Sequence, residues 1–290
     1  MGELYNSQDG GYNWSCRTPP RLTSEFLAVQ TMCPISTQEC WLLTSYAHKD
    51  IRGLHTVDGG RTWKERCRFL ARDGNIASEN VCFVDSNNGW VTISEFHKGR
   101  DASRIHRTTD GGSHWSEHLI ECTHPLIQCA FLNNQTGWIV EPRPTRDRSR
   151  YVTVIHSSTD GGITWRSSAK LNGRARSLYI KEAEVLFLCG KHGFLASSYD
   201  QAKTWAIRSP LTSLSLESIH FKGTTGIAVG HSDSIRSRRS TVFLLTRDSG
   251  QSWIRVASPV QAPLFRVYLK SWQTGIVASA EDLFAFQILT

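Results

Sequence analysis

Apolar residues along this chain come in runs of four to eight, rich in Val, Ile, Leu, Phe and Trp. The runs are broken by clusters of Gly, Asn, Asp and Ser. Runs of this length bounded by turn residues are the pattern of β-strands. Residues 80–84 (NVCFV), 89–94 (GWVTIS), 105–110 (IHRTTD) and 114–120 (HWSEHLI) form one set of four. The set returns at 126–131 (LIQCAF), 137–141 (GWIVE), 151–158 (YVTVIHSS) and 164–170 (TWRSSAK), and again at 177–180, 185–190, 194–198 and 204–209. Segments 218–221, 226–230, 241–246 and 252–257 repeat it once more. No stretch carries a helical period. Four strands in every 40–50 residues is the unit of a β-propeller blade.

A second pattern, Ser/Thr-x-Asp-x-Gly-x-x-Trp, marks the turn between the last two strands of each set. It reads SQDGGYNW at 7–14, TVDGGRTW at 56–63, TTDGGSHW at 108–115, STDGGITW at 158–165, SYDQAKTW at 198–205 and TRDSGQSW at 246–253. The aspartates are Asp9, Asp58, Asp110, Asp160, Asp200 and Asp248, at intervals of 49, 52, 50, 40 and 48 residues. Asp-Gly supplies the left-handed backbone that a tight hairpin turn requires. The carboxylate can accept hydrogen bonds from turn amides and from the Ser/Thr hydroxyl. The tryptophans (Trp14, Trp63, Trp115, Trp165, Trp205 and Trp253) are apolar anchors for the turn. These residues are structural rather than catalytic.

Complete units run over about 22–67, 68–121, 122–170, 171–210 and 211–257. Residues 258–290 supply three strands without a turn motif, and residues 1–21 supply a motif and its following strand. Together they complete a sixth blade. The expectation is an all-β chain folded as a single domain over 1–290. It is a six-bladed β-propeller of four-stranded antiparallel blades, closed by N- and C-terminal strands that share the last blade. Closure of this kind removes exposed sheet edges. Both ELYNS (3–7) and LFAFQIL (283–289) fit the third strand of that blade, so its register is open.

At these motifs the chain resembles the Asp-box (bacterial neuraminidase repeat) superfamily, and within it the YCF48-like branch. That branch's style of repeat pairs NNQTGWIV (133–140) with STDGGITW, and GTTGIAVG (223–230) with TRDSGQSW. The resemblance covers the whole chain, and its motif specifies fold far more than function. It implies a non-enzymatic assembly or stability factor that binds a protein client, or an immunity-type inhibitor. Sialidases share the Asp-box. They resemble one another in an Arg-Ile-Pro element, three carboxylate-clamping arginines, a Tyr–Glu nucleophile pair and an Asp acid. Here Arg104-Ile105 is followed by His106, and the expected element in the first blade is absent. Tyr179 and Tyr268, with Arg176 and Arg266 nearby, keep a sialidase-like glycosidase or carbohydrate-binding propeller as the alternative.

Charge separates these functions further. The 290 residues carry a net +7. Segments 97–107, 142–151 and 231–240, read as long loops between second and third strands, hold eleven basic and three acidic residues. They account for +8, which leaves the remainder close to neutral. In a four-stranded blade these loops emerge on the face opposite the Asp-box turns. Lys98, Arg100, Arg104, Arg143, Arg146, Arg148, Arg150, Arg236, Arg238 and Arg239 are therefore expected to line one rim. Arginine forks suit carboxylates and phosphates, so the rim points to a protein client with an acidic surface. Arg174, Arg176, Glu217 and Arg266 stand at or near inner strands. They either bind a small anion at the channel mouth or pair with one another.

Stacking aromatics are sparse among the basic loops, since only Phe96 and Tyr151 flank them. That argues against a nucleic-acid partner. There is no phosphate loop, no HExxH and no GxSxG. Each DGG turn offers one carboxylate, too few for calcium. His97 and His106 are the one chance metal pair, and no metal or cofactor is expected. Eight cysteines (16, 33, 40, 67, 82, 122, 129 and 189) show no CxxC spacing, and most, such as Cys82, Cys129 and Cys189, fall in apolar strand-like runs and read as buried free thiols. No apolar run reaches membrane length, and the N-terminus lacks signal-peptide character. The sequence as written reads as a cytoplasmic monomer, periplasmic or lumenal if an export segment has been removed.

Overall fold

A computed structural model describes residues 4–7, 13–19, 28–46, 49–72, 75–97, 100–120, 122–208, 212–233, 240–258, 260–279 and 282–288. Two short strands, β1 (Tyr5–Asn6) and β2 (Ser15–Cys16), pair antiparallel. Five four-stranded sheets follow, each with its strands in chain order. The first holds β3 (Ala28–Pro34), β4 (Cys40–Tyr46), β5 (Asp50–Thr56) and β6 (Lys64–Leu70). The second holds β7 (Asn75–Phe83), β8 (Gly89–His97), β9 (Arg100–Thr108) and β10 (Ser116–Ile120). The third holds β11 (Gln128–Phe131), β12 (Gly137–Pro144), β13 (Tyr151–Ser158) and β14 (Arg166–Asn172). The fourth holds β15 (Ala175–Glu182), β16 (Val185–Gly190), β17 (Leu195–Ser198) and β18 (Ala206–Arg208). The fifth holds β19 (Ser215–Lys222), β20 (Thr225–His231), β21 (Thr241–Thr246) and β22 (Ile254–Arg255). A three-stranded sheet of β23 (Arg266–Leu269), β24 (Thr274–Ala278) and β25 (Leu283–Gln287) comes last. Among the described residues the only helical segment is a 3₁₀ turn, Lys191–Gly193, and no helix is long and apolar enough to cross a membrane.

The second strand of each four-stranded sheet is buried on both faces, and the fourth is exposed. β12 begins with five buried residues in a row, whereas β14 (RSSAKLN) is almost wholly open. The outermost strand carries the free sheet edge, and its charged and small polar residues keep that edge from pairing with other chains. All eight cysteines are free thiols. Burial pushes the Cys82 thiol up to about 12, which keeps it inert.

The Asp-box builds the same turn five times among the described residues. In the second sheet the Thr108 hydroxyl donates to Asp110 at 2.9 Å and accepts the Gly112 amide at 2.9 Å. Asp110 in turn accepts the His114 amide at 2.9 Å, and the Trp115 indole donates to the Gly112 carbonyl at 3.2 Å. The His114 amide and ring hold the Asp110 carboxyl down at about 2. Gly112 adopts φ 79°, and a Cβ there would meet the Trp41 ring at 2.4 Å. The glycine therefore seats the turn against an aromatic from the preceding sheet. Gly250 meets Phe187 in the same way. Asp58, Asp160, Asp200 and Asp248 repeat the bonding. Asp9 lies outside the described residues.

Two compact units emerge, residues 1–141 with 155–167 and residues 142–154 with 168–290. In the first, Trp41, Leu43, Ile51, Val91 and Ile93 form one fully buried cluster, and Trp90, Ile105, Cys129, Phe131 and Ile139 form another. Trp90 stacks on Phe131 at 3.6 Å and donates to the Gly161 carbonyl at 2.8 Å. In the second unit, Phe187, Leu216, Phe221, Leu244 and Trp253 make the corresponding core.

One expectation is corrected. Segment 97–107 is not a long loop. β8 runs to His97 and β9 starts at Arg100, and these two residues pair across the ladder. Polar residues can continue the ladder here because they are satisfied within the sheet. Ser94 and Ser103 share a hydrogen bond of 2.7 Å across it, and Arg104 pairs with Glu95.

Candidate anion-binding site

The loop between β12 and β13 is shorter than the segment 142–151, since the strands take in Arg143 and Tyr151. What remains, residues 145–150, is a closed turn. The Thr145 amide donates to the Arg150 carbonyl at 2.9 Å, and the Arg150 amide donates to the Thr145 hydroxyl at 3.1 Å. Asp147 accepts from the Thr145 hydroxyl at 2.5 Å and from the Ser149 hydroxyl at 2.7 Å and amide at 3.1 Å. Those bonds pull its carboxyl down to about 2. The one acid of the loop is thus taken up by the turn itself, while Arg146, Arg148 and Arg150 stay exposed.

Arg150 forms one wall of a cavity of about 700 Å³ whose other walls come from β13, from the β14–β15 link and from the fourth sheet. Tyr151, Gly173, Arg174, Lys191, His192, Phe194 and Arg208 line it. The link from β14 to β15 is tied down by the Gly173 amide, which donates to the Tyr151 carbonyl at 2.9 Å. Gly173 has φ 139°, and a Cβ there would strike Phe194 at 2.2 Å, so only glycine lets that ring close the wall. The Arg174 guanidinium lies over the Tyr151 ring at 4.3 Å, a cation–π contact that fixes it without an acid. The Lys191 amide donates to the Arg174 carbonyl at 2.9 Å, which brings the 3₁₀ turn alongside. The Arg208 Nε donates to the Ser197 hydroxyl at 3.2 Å.

Among the described residues no Asp or Glu lines this cavity. Among the described residues Arg150, Arg174 and Arg208 make no ion pair, while Lys191 reaches Asp233 at 3.4 Å. Unpaired guanidinium groups in a concavity raise the local concentration of anions. A larger hollow of about 880 Å³ surrounds Trp63, but Glu65 lines it beside Arg17, Arg61 and Lys64.

The remaining basic residues divide sharply. Arg104 is buried within β9 and pairs with Glu95 and, at 3.3 Å, with Glu117. It cannot face a partner. Only the backbone of Arg100 is described, and Lys98, Arg236, Arg238 and Arg239 lie outside the described residues. Arg143 sits half-buried on β12. Of the four channel-mouth candidates, Arg176 pairs with Glu217 at 2.7 Å and with Asp233 at 3.1 Å. Glu217 is the extra residue of a bulge between Leu216 and Ser218, the kind of irregularity that re-aims a side chain. Arg174 joins the cavity, and Arg266 is exposed with its guanidinium on the Phe265 carbonyl. Ligand-type atoms of Glu217, His231 and Asp233 lie within 4.8 Å of one another. Arg176 and Lys191 already balance the two carboxylates.

Sequence reasoning found Arg150 and Arg174 but assigned them to different sites, and it passed over Lys191, His192 and Arg208. The one usable signal was topological. The short KHG turn joins the second and third strands of its sheet, as segment 142–151 does in the sheet before. Glycosidase chemistry finds less support. The Tyr179 hydroxyl donates to the Phe221 carbonyl at 3.4 Å, and burial pushes its pKa up, the opposite of what a nucleophile needs.

Comparison with known proteins places the fold. A curated sialidase from Bacteroides fragilis is 30% identical over 128 residues, 41% of this chain. The match spans 23% of the length of that relative. YCF48 from Cyanidioschyzon merolae superposes with a TM-score of 0.51 at 16% identity, covering 90% of this chain and 95% of that one. The GH74 enzyme of Niastella koreensis gives 0.65 at 14% identity, covering 89% of this chain and 44% of that one. No family model matches. The chain has the fold of the sialidase-type, Asp-box β-propellers, to which YCF48 is similar.

Proposed function

We propose that this protein is a non-catalytic Asp-box propeller that binds an acidic region of a client protein, as an assembly or stability factor or an immunity-type inhibitor. In this reading the ring has six blades, with the β1–β2 ladder and the three C-terminal strands sharing the last. The carrying observation is the cavity lined by Arg150, Arg174, Arg208, Lys191 and His192, with no acid in its lining among the described residues. The exposed Arg146 and Arg148 beside it extend the same positive surface. Loops held on a rigid sheet scaffold are the usual seat of recognition.

The test is capture from lysate by the full chain at low and physiological salt, compared with an Arg146→Ser/Arg148→Ser/Arg150→Ser variant. A partner with an acidic segment that is lost with the variant supports the proposal. A partner retained equally by both proteins overturns it.

The similarity to a curated sialidase favours one alternative, a sialidase-like glycosidase or carbohydrate-binding propeller. Turnover of a fluorogenic sialoside that survives purification to homogeneity and is abolished by Tyr268→Phe would establish it.

A further inference from the structure

The balance of charge in the cavity narrows what it takes. Three guanidinium groups (Arg150, Arg174 and Arg208) stand without a carboxylate, and Lys191 is shared with Asp233. A single carboxylate brings one negative charge and two oxygens. It balances one of the three positive charges. A phosphomonoester brings a charge of about −1.5 to −2 and three strong acceptor oxygens. Its three oxygens are enough to give each of the three guanidinium groups an acceptor, and phosphate is among the anions arginine pairs with best. Tyr151, Val152, Phe194 and Ile207 supply apolar wall beside the charges, so the group that carries the phosphate can be buried with it. The cavity volume is in the range of sites that enclose one small group and its carrier.

We infer that the cavity between the Arg150 turn and the fourth sheet is a receptor for a phosphomonoester dianion, presented by a phosphorylated side chain of the client. The inference rests on the client-binding reading and specifies which group of the client enters. Arg208 lines the pocket from β18, Arg150 from the β12–β13 turn, and Arg174 from the β14–β15 link, over the Tyr151 ring. His192, held at φ 54° in the tight turn, lines the same cavity beside Lys191.

The experiment uses the full chain in fluorescence anisotropy at physiological salt. The probes are three versions of one labelled heptapeptide, carrying phosphotyrosine, glutamate or tyrosine at the centre. Glucose 6-phosphate and inorganic phosphate serve as competitors. The phosphopeptide is expected to bind at least about tenfold more tightly than the glutamate peptide. Arg208→Gln weakens it by about tenfold, and Arg150→Gln/Arg174→Gln/Arg208→Gln by about a hundredfold or more. Arg166→Gln, an exposed arginine outside the cavity, leaves it unchanged. Competition by glucose 6-phosphate far stronger than by inorganic phosphate, with no gain from the peptide context, assigns the site to a small phosphorylated molecule and overturns the client source. Equal binding of the phosphotyrosine and glutamate peptides overturns the phosphate inference and leaves the acidic-client reading standing. Binding of neither overturns both. Should the triple variant unfold, Arg208→Gln alone decides, because its one hydrogen bond is to a serine.

Discussion

Arg104 and Arg174 are equally conspicuous in the sequence, yet their surroundings make them opposites. Arg104 lies inside β9 with Glu95 directly on it and Glu117 at 3.3 Å. Arg174 rests on the Tyr151 ring in a cavity that no acid lines. The first arginine has its charge matched inside the protein and holds strands together. The second is matched only when something else arrives. Proximity of carboxylates, rather than the density of arginine along the chain, decides which basic residues are available for recognition.

The sharpest way to break this contrast is Arg104→Ala. It leaves Glu95 buried and unpaired and is expected to cost about 3–5 kcal/mol in urea unfolding, with phosphopeptide affinity unchanged in whatever remains folded. Replacing both partners, Arg104→Met with Glu95→Leu, recovers most of that loss. Recovery no better than the single variant would mean that the loss does not come from the charge left unmatched.

Acid separates the two regions next. Burial holds His106, packed on Phe69 at 4.2 Å beside Arg104, down to about 4 from an ordinary 6.5. Between those values the unfolded chain binds the proton and the folded chain does not, so stability falls as pH drops through that window. The loss from this group is on the order of 3 kcal/mol. His106→Phe is expected to flatten the pH dependence of unfolding between pH 6.5 and 4. The flattening is partial, because His220 is held at about 4 as well. A variant with an unchanged slope would place the acid sensitivity elsewhere.

A smaller effect tests the fourth sheet, which carries one side of the cavity. Its Asp-box has Gln201 at φ 60° and Ala202 at φ 64°, where the first three described boxes place two glycines and the last has Ser249 at φ 59° and Gly250. A left-handed conformation costs an L-residue about 1–2 kcal/mol, and glycine gives back about 0.4–1 kcal/mol through its freer unfolded chain. Gln201→Gly is therefore expected to stabilise by roughly 0.5 kcal/mol. The turn stands about 10 Å from Arg208, three strand residues away, so affinity in the cavity should not move. A coupled loss of affinity would show that the turn tunes the pocket.

The strands and the Asp-boxes were legible because each is specified locally. Alternating apolar runs, Asp-Gly pairs and a trailing Trp lie within a few residues of one another. Even SYDQAKTW was readable, since Ser198 and Asp200 make the same bonds without glycine. The cavity was not legible because it gathers residues from three separate connections, one of them the three-residue KHG turn, and from strands on either side of them. Segment 97–107 was misread for a related reason. Its polar residues look like loop until Glu95 and Glu117, nine residues before and thirteen after Arg104, are seen to lie against it. Sequence supplies the charges, and the pairing between them belongs to the fold.

Lys191 stands between the two classes and gives the finest test of the contrast. It lines the cavity, yet its ammonium lies 3.4 Å from Asp233, which also accepts from Ser215 and pairs with Arg176. Those contacts hold the Asp233 carboxyl below its usual range against the opposing effect of burial. If carboxylate proximity sets availability, Asp233→Asn removes the competitor and makes Lys191 wholly a cavity residue. Phosphopeptide affinity should then rise by about two- to threefold, a modest gain because the lysine is partly exposed and screened by salt. Lys191→Gln in the same background should cancel it. A fall in affinity on Asp233→Asn would reverse the logic, making Asp233 the group that positions Lys191 for the ligand.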